Sequence, residues 1–166
     1  MILIAIGANL ARSDGTSPLK TCQQAIAALD LIPDMSIAGQ SRWYESAPIP
    51  PSGQNPYLNA VVRLAVEPGT AVDPAVLLAR LMAIEDAHGR VRGSPNGPRT
   101  LDLDIVAMGG LVRTDPDPIL PHPRAHLRAF VLMPLRDVAP GWVHPVMGRT
   151  VEALIAVLPP QQIRAL

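Results

Sequence analysis

Two aspartates separated by one residue are the most informative chemical feature of this sequence. Asp102 and Asp104 lie in a stretch of alternating apolar and polar residues that predicts a β-strand. Alternate side chains of a strand share one face, so both carboxylates should project together while Leu101, Leu103 and Ile105 point to the core. Such a carboxylate pair can hold one or two Mg²⁺ ions. A solvated strand face is the other interpretation of the same spacing.

A loop rich in arginine and glycine precedes the carboxylate pair. No acidic residue lies between Asp86 and Asp102, whereas the loop carries Arg90, Arg92 and Arg99. Guanidinium groups bind phosphate oxygens through paired hydrogen bonds, and a loop containing glycine can close over a polyphosphate. A solvated basic loop is the alternative. Phosphate together with a divalent metal would account for both signs of charge, so we favour the functional interpretation.

The composition argues against several other classes of protein. The 166 residues carry 14 basic and 14 acidic side chains, so no net positive field attracts nucleic acid or an anionic membrane. The sequence contains neither a G-x-x-x-x-G-K-[ST] phosphate loop nor a G-x-G-x-x-G fingerprint. The apolar run at residues 1–7 is too short for a signal-peptide core or a membrane span, and Cys22 is the single cysteine. We therefore expect a cytoplasmic protein.

The order of the surrounding elements predicts a ferredoxin-like fold. Ser17 and Asp73 each precede a proline, which predicts the starts of two helices, and the second should bury Val76, Leu77, Leu81 and Ile84. Apolar patterns predict strands at residues 1–7, 36–44, 57–66 and 100–108. The resulting βαββαβ order is that of an α+β sandwich with an antiparallel sheet.

The C-terminal part of the chain is predicted as an extension of this core. Prolines at 121, 134 and 145 should break regular structure, and a short helix is expected over residues 150–157. Nothing in the sequence indicates a linker, so we expect one domain over residues 1–166 that works as a monomer.

Several short motifs together identify a family. The string GPRTLDLD at residues 97–104 resembles the signature of 6-hydroxymethyl-7,8-dihydropterin pyrophosphokinase, a folate-pathway enzyme. Other segments match that family in the same order. They are GANL at 7–10, YLNA at 57–60, Glu85 with GRVR at 89–92, PHPR at 121–124 and RAFVL at 128–132.

The resemblance implies a reaction and a set of residues for it. Pyrophosphate would pass from ATP to the hydroxymethyl group of the pterin, with AMP as the other product. By the same resemblance, Asp102 and Asp104 would ligate two Mg²⁺ ions and act in catalysis together with Arg90 and Arg99. The ATP-binding residues would be Glu85, Arg92, Arg99, Ile105, His122 and Arg128. An isolated histidine beside prolines is commonly structural, so we assign no general base.

A second set of residues is implied for the pterin. A flat bicyclic ring needs an aromatic sandwich and directed amide hydrogen bonds. The resemblance gives these roles to Ser46, Pro48, Ile49, Tyr57, Asn59 and Phe130. Tyr57 and Phe130 could equally be ordinary core residues. Asn59 favours the ligand interpretation, because its amide shares a strand face with Tyr57 and needs a partner when buried.

The chain also departs from the family pattern. Its arginine loop is one residue shorter, with Asn96 where many members carry tryptophan, and polar or basic residues are missing near Asp117 and Ile119. These differences concern loop closure and adenine contacts. A noncatalytic ferredoxin-like module that binds a small regulatory molecule is the alternative function. Such a module would bind its ligand without consuming ATP and without requiring Mg²⁺.

Overall fold

The computed structural model describes residues 1–93 and 95–166. Within these ranges the chain forms six strands and four α-helices. The strands are β1 (Ile2–Ala8), β2 (Met35–Gln40), β3 (Tyr44–Ser46), β4 (Tyr57–Val66), β5 (Asp102–Met108) and β6 (Ile163–Ala165). The helices are α1 (Pro18–Leu29), α2 (Pro74–Ala87), α3 (Ala129–Val138) and α4 (Val151–Ile155), and a 3₁₀ turn (Ala125–Leu127) precedes α3.

All strand pairs of the sheet are antiparallel. The strand order is β5-β1-β4-β3-β6, and β2 pairs with β4 beyond the end of β3. Strand β1 therefore lies between β4 and β5, as the predicted βαββαβ order requires. Both faces of β1 are covered by other elements, which explains why its sequence is a continuous apolar run.

Helices cover both faces of the sheet. Ile4 of β1 packs on one side with Leu29 of α1 and Leu81 of α2. On the other side, Leu3 packs with Leu132 of α3. The C-terminal extension thus supplies a second helical layer over the ferredoxin-like core. No helix in the described ranges is both long and apolar enough to cross a membrane.

Both predicted helix starts are confirmed. Ser17 Oγ accepts a hydrogen bond from a backbone N–H in the first turn of α1, and the Asp73 carboxylate accepts two in α2. The predicted buried face of α2 needs one correction, because Val76 is exposed. The buried positions Leu77, Leu81 and Glu85 recur every four residues, so the neighbouring Val76 points away from the sheet.

Two other predictions about secondary structure are wrong in detail. The strand expected over residues 36–44 is interrupted between β2 and β3. There the Ser41 hydroxyl accepts from the Val61 N–H, so a side chain replaces one rung of the backbone ladder. Pro134 does not break the chain but lies inside α3. It is buried with Leu135 against the sheet, and this packing offsets the lost helix hydrogen bond.

Candidate functional site

A cleft opens on the face of the sheet that α3 covers. It encloses about 690 Å³, part of which is open to solvent. Its lining includes ten of the residues that the sequence predicts, namely Ser46, Pro48, Ile49, Tyr57, Asn59, Arg99, Asp102, Asp104, Arg128 and Phe130. The lining also includes residues to which the sequence analysis gave no site role, among them Gly7, Ala47 and Val131.

Two arginines engage both oxygens of Asp102. Arg90 Nη1 donates to Oδ1 over 2.9 Å, and Arg99 Nη1 donates to Oδ2 over 2.8 Å. Arg90 also donates to the Leu101 carbonyl. Burial opposes the charge on Arg99, but the Asp102 carboxylate outweighs it and raises the pKa of the guanidinium. Both carboxylate oxygens of Asp102 are therefore engaged by partly buried guanidinium groups.

The second carboxylate, Asp104, has a histidine as its neighbour. The Oδ2 atom of Asp104 lies 3.8 Å from Nε2 of His122. Partial burial and the charge of Asp102 raise the pKa of Asp104. Burial, with Arg128 and Arg124 nearby, lowers the pKa of His122. Because His122 Nδ1 accepts from the Arg124 N–H, the proton of the neutral ring belongs on Nε2, facing Asp104.

The carboxylate pair fits Mg²⁺ that arrives with a polyphosphate. The described residues contain no group of three or more His, Cys, Asp or Glu side chains able to hold a metal ion alone. Asp102 and Asp104 nevertheless line one cleft from the same face of β5. Mg²⁺ is commonly bound by one or two carboxylates, with water and substrate phosphates as its other ligands.

Glu85 lies on α2 and outside the cleft. It is only 5% exposed. Its Oε1 accepts from the Leu103 N–H over 2.8 Å, and its Oε2 accepts from Arg92 over 3.0 Å. Burial raises the pKa of this carboxyl above its ordinary value. Both oxygens are thus used within the protein, where they tie the arginine loop to β5.

Ile105 and Arg92 also lie apart from the cleft lining. The Ile105 side chain is buried in the cluster that faces α1 and α2, so it does not line the cleft. The Arg92 guanidinium pairs with Glu85 and, over 3.2 Å, with Asp86. It is exposed enough to exchange these partners for phosphate oxygens.

Asn59 and Ser46 form a polar corner of the cleft. Asn59 is 4% exposed, and its Nδ2 donates to Ser46 Oγ over 2.9 Å and to the Tyr57 carbonyl over 3.1 Å. Its Oδ1 points toward Gly7, where an added Cβ would lie 3.7 Å away. The amide is therefore fixed through its donor side, and its acceptor faces the cleft.

The aromatic residues of the cleft are held by different contacts. Phe130, at the start of α3, lies under the Arg128 guanidinium, whose carbon is 5.3 Å from the ring centre. The Tyr57 hydroxyl lies 3.2 Å from the Gly97 carbonyl and donates to it. A flat ring that enters the cleft can therefore meet Tyr57 and Phe130 together with the amide of Asn59.

Asn9 connects three loops around the cleft. It is 3% exposed, and its Nδ2 donates to Gln54 Oε1 over 3.0 Å while its Oδ1 accepts from the Arg99 N–H over 2.9 Å. Gln54 in turn donates to the Asn96 carbonyl over 2.8 Å. The motif at residues 7–10 includes Asn9 without indicating this role, and no pattern pointed to Gln54. A polar residue directly after a buried strand is the signal that could have identified Asn9.

Comparisons with known proteins agree on one family. The family model described as 7,8-dihydro-6-hydroxymethylpterin-pyrophosphokinase matches residues 3–140. A 2-amino-4-hydroxy-6-hydroxymethyldihydropteridine pyrophosphokinase of Pseudomonas aeruginosa is 38% identical over 165 residues, covering 99% of this chain and 96% of that protein. The Synechocystis protein of the same name is 40% identical over 137 residues, covering 82% of this chain and 68% of its own length.

Solved structures support the fold. The wild-type HPPK-DHPS of Plasmodium falciparum superposes on 93% of this chain with a TM-score of 0.67 and 12% identity. This chain spans 44% of that longer one. The family match extends over β1 to α3, the part of the chain that forms the cleft. The chain thus belongs to the 7,8-dihydro-6-hydroxymethylpterin-pyrophosphokinase family.

Proposed function

We propose that this protein transfers the pyrophosphoryl group of Mg-ATP to the hydroxymethyl group of 6-hydroxymethyl-7,8-dihydropterin, with AMP as the second product. One observation carries the proposal beyond family membership. Gly7 of β1 pairs in register with Asn59 on one side and with Asp102 on the other. A pterin held by Asn59 would therefore lie beside a polyphosphate held near Asp102.

The carboxylate side of the cleft would bind the polyphosphate. Asp102 and Asp104 would hold the metal, which when bound would neutralise phosphate charge and orient the chain of phosphates. When the polyphosphate binds, Arg90 and Arg99 would donate hydrogen bonds to its phosphate oxygens in place of the oxygens of Asp102. His122 and Arg128, which flank Asp104, would contact the nucleotide phosphates. Arg92 and Ile105 would contact the nucleotide from outside the cleft lining, and Glu85 would support them.

The Asn59 side would bind the pterin. Asn59 and Ser46 would hydrogen-bond its polar edge, and Tyr57 and Phe130 would enclose its faces. Pro48 and Ile49 would complete the pocket. The flat ring would be held with its hydroxymethyl group directed toward Asp102, because the two groups of residues line one cleft.

The proposed chemistry is an in-line displacement. The hydroxymethyl oxygen attacks the β-phosphorus and loses its proton to a phosphate oxygen. The bond from the β-phosphorus to the α-phosphate oxygen breaks, and AMP leaves with that oxygen. The protein contributes by positioning both substrates and by placing arginine charge where negative charge develops. Closure of the arginine loop would exclude water from the transferring group. We assign no side chain as general base.

Pterin-dependent formation of AMP tests this proposal. The purified protein is incubated with ATP and Mg²⁺, with and without the pterin, and parallel reactions contain EDTA. We expect AMP only when pterin and Mg²⁺ are both present. Binding of the pterin without AMP formation would favour the noncatalytic module. Unchanged turnover in EDTA would show that the reaction does not require Mg²⁺ and would contradict that part of the proposal.

We also propose that residues 1–166 form one domain that acts as a monomer in the cytosol. The packing of α3 and α4 on the sheet supports a single domain, and a free buried cysteine is compatible with a reducing compartment. Light scattering coupled to size exclusion would test the monomer. A mass of twice the chain would contradict it.

A further inference from the structure

The segment that follows α4 contacts the start of α3. Gln161 lies beyond residues 3–140, the part that matches the family model. Its Oε1 accepts a hydrogen bond from the Ala129 N–H over 2.9 Å, and its Nε2 donates to the Leu127 carbonyl over 2.9 Å. The side chain therefore bridges the 3₁₀ turn and the first residue of α3.

Gln161 supplies a partner that the helix itself lacks. The first N–H groups of a helix have no intrahelical acceptor. Arg128 is the N-cap residue of α3, and its side chain makes no capping hydrogen bond. Gln161 provides the acceptor for Ala129 instead. This bond fixes the turn that carries Arg128 and Phe130 into the cleft.

The residues next to Gln161 hold the opposite wall of the cleft. The Ala47 N–H donates to the Gln162 carbonyl over 3.1 Å. Ile163 pairs with Ser46 in the ladder between β6 and β3. Both Ser46 and Ala47 line the cleft. Three consecutive residues thus contact the wall built from β3 and the wall built from the start of α3.

We propose that Gln161 is a positioning residue for the pterin side of the site. By bonding the start of α3 while its neighbours hold Ser46 and Ala47, it sets the separation of the two walls between which the pterin ring binds. The inference rests on the proposed function. Gln161 does not line the cleft, so its loss should weaken pterin binding and leave the chemical step in place.

Two variants isolate the hydrogen bonds of Gln161. Gln161→Met has a similar length but cannot make them, and we expect it to raise the KM for the pterin. The expected rise is about three- to tenfold, as for the loss of one or two hydrogen bonds of ordinary net strength. The kcat at saturating pterin should stay within about twofold. Gln161→Glu can still accept a hydrogen bond from the Ala129 N–H, so its KM for the pterin should rise less than that of Gln161→Met.

The matched control is Gln162→Ala. The Gln162 side chain is exposed, and the bond to Ala47 comes from its main chain, so this variant should behave like the wild type. An unchanged pterin KM in Gln161→Met, or an equal rise in the control, would overturn the proposal. If Gln161→Met does not fold, Gln161→Asn, which is one methylene shorter, provides the same test.

Amide hydrogen exchange gives a readout that does not depend on activity. In substrate-free Gln161→Met, the amides of Ala129 and Ala47 should both exchange faster, while the global stability to urea stays near that of the wild type. Faster exchange at Ala129 alone would overturn the coupling between the walls. If the wild type forms no pterin-dependent AMP, the proposed function fails. The rate of amide exchange at Ala47 in Gln161→Met then shows, without any activity measurement, whether Gln161 couples the two walls.

Discussion

Asn59 and Asp102 face each other across a single glycine. Asn59 on β4 and Asp102 on β5 both pair in register with Gly7 on the intervening strand β1. Neighbouring strands lie about 4.8 Å apart, so the two residues are separated by roughly 10 Å along the sheet. This spacing places an amide and a carboxylate on either side of a gap that carries no side chain.

Filling this gap should impair function more than folding. An alanine Cβ at position 7 would lie 3.7 Å from Asn59 Oδ1 and 4.0 Å from Asp102 Cβ, which are ordinary contacts. We therefore expect Gly7→Ala to change stability by less than about 1 kcal/mol. The KM for the pterin should rise at least about fivefold, because the ring loses space. Gly141→Ala, with open space around its Cβ, is the control for both urea unfolding and kinetics.

The two aspartates should differ in their effects on stability. Replacing either carboxylate with asparagine is expected to lower kcat by about 100-fold or more, because the metal that would neutralise the charge of the transferring group is held less firmly. Asp102→Asn should also lower stability, since the partly buried Arg90 and Arg99 lose their negative partner and one of its two acceptor oxygens. Steady-state AMP formation and thermal unfolding measure the two effects. Near-normal turnover of Asp104→Asn at saturating Mg²⁺ would contradict the assignment, and Glu152→Gln is the surface control.

Loss of Asn9 should uncouple the loops that surround the cleft. Asn9→Ala removes the side-chain acceptor of the Arg99 N–H and one of the donors to Gln54 Oε1. We expect a loss of about 1–3 kcal/mol in the free energy of unfolding. The kcat should also fall, because Arg99 would be less well positioned. Urea unfolding and AMP formation at saturating substrates test this, and full activity with full stability would show that the network has no role.

Acid should destabilise the C-terminal layer through His144. Burial, and then the neighbouring His126, lowers the pKa of His144 below its ordinary value of 6.5. The unfolded chain therefore takes up a proton more readily, so stability is complete above pH 6.5 and declines as the pH falls toward the folded-state pKa.

An asparagine at position 144 separates charge from hydrogen bonding. His144 Nδ1 accepts from the N–H groups of Val146 and Met147, and an asparagine oxygen can accept in its place. His144→Asn should therefore lose less stability than the wild type between pH 7 and pH 5, measured by urea unfolding at each pH. Parallel stability curves for the two proteins would exclude His144 as the titrating group.

Local patterns predicted the elements whose contacts are also local. Continuous apolar residues identified β1, capping residues identified the starts of α1 and α2, and the alternation around Asp102 identified β5. The interruption between β2 and β3 depends on a hydroxyl of Ser41 that bonds a distant strand, which no local pattern contains. Likewise, Pro134 stays helical because tertiary burial overrides its low helix propensity.

Only part of the site could be predicted from the sequence, because several of its contacts join residues that are distant in sequence. The D-x-D spacing indicates a shared face by geometry alone, whereas the pterin residues followed from family resemblance. Gly7, Asn9 and Gln161 act through partners that are distant in sequence, so their positions became apparent only in the folded chain.

The products of the reaction test the central claim most directly. Phosphorus NMR of a completed reaction with ATP, Mg²⁺ and 6-hydroxymethyl-7,8-dihydropterin distinguishes transfer of a pyrophosphoryl group from transfer of one phosphoryl group. Attack on the β-phosphorus predicts AMP and a pterin diphosphate in equal amounts. ADP with a pterin monophosphate, or AMP and free pyrophosphate formed without the pterin, would contradict the proposed function.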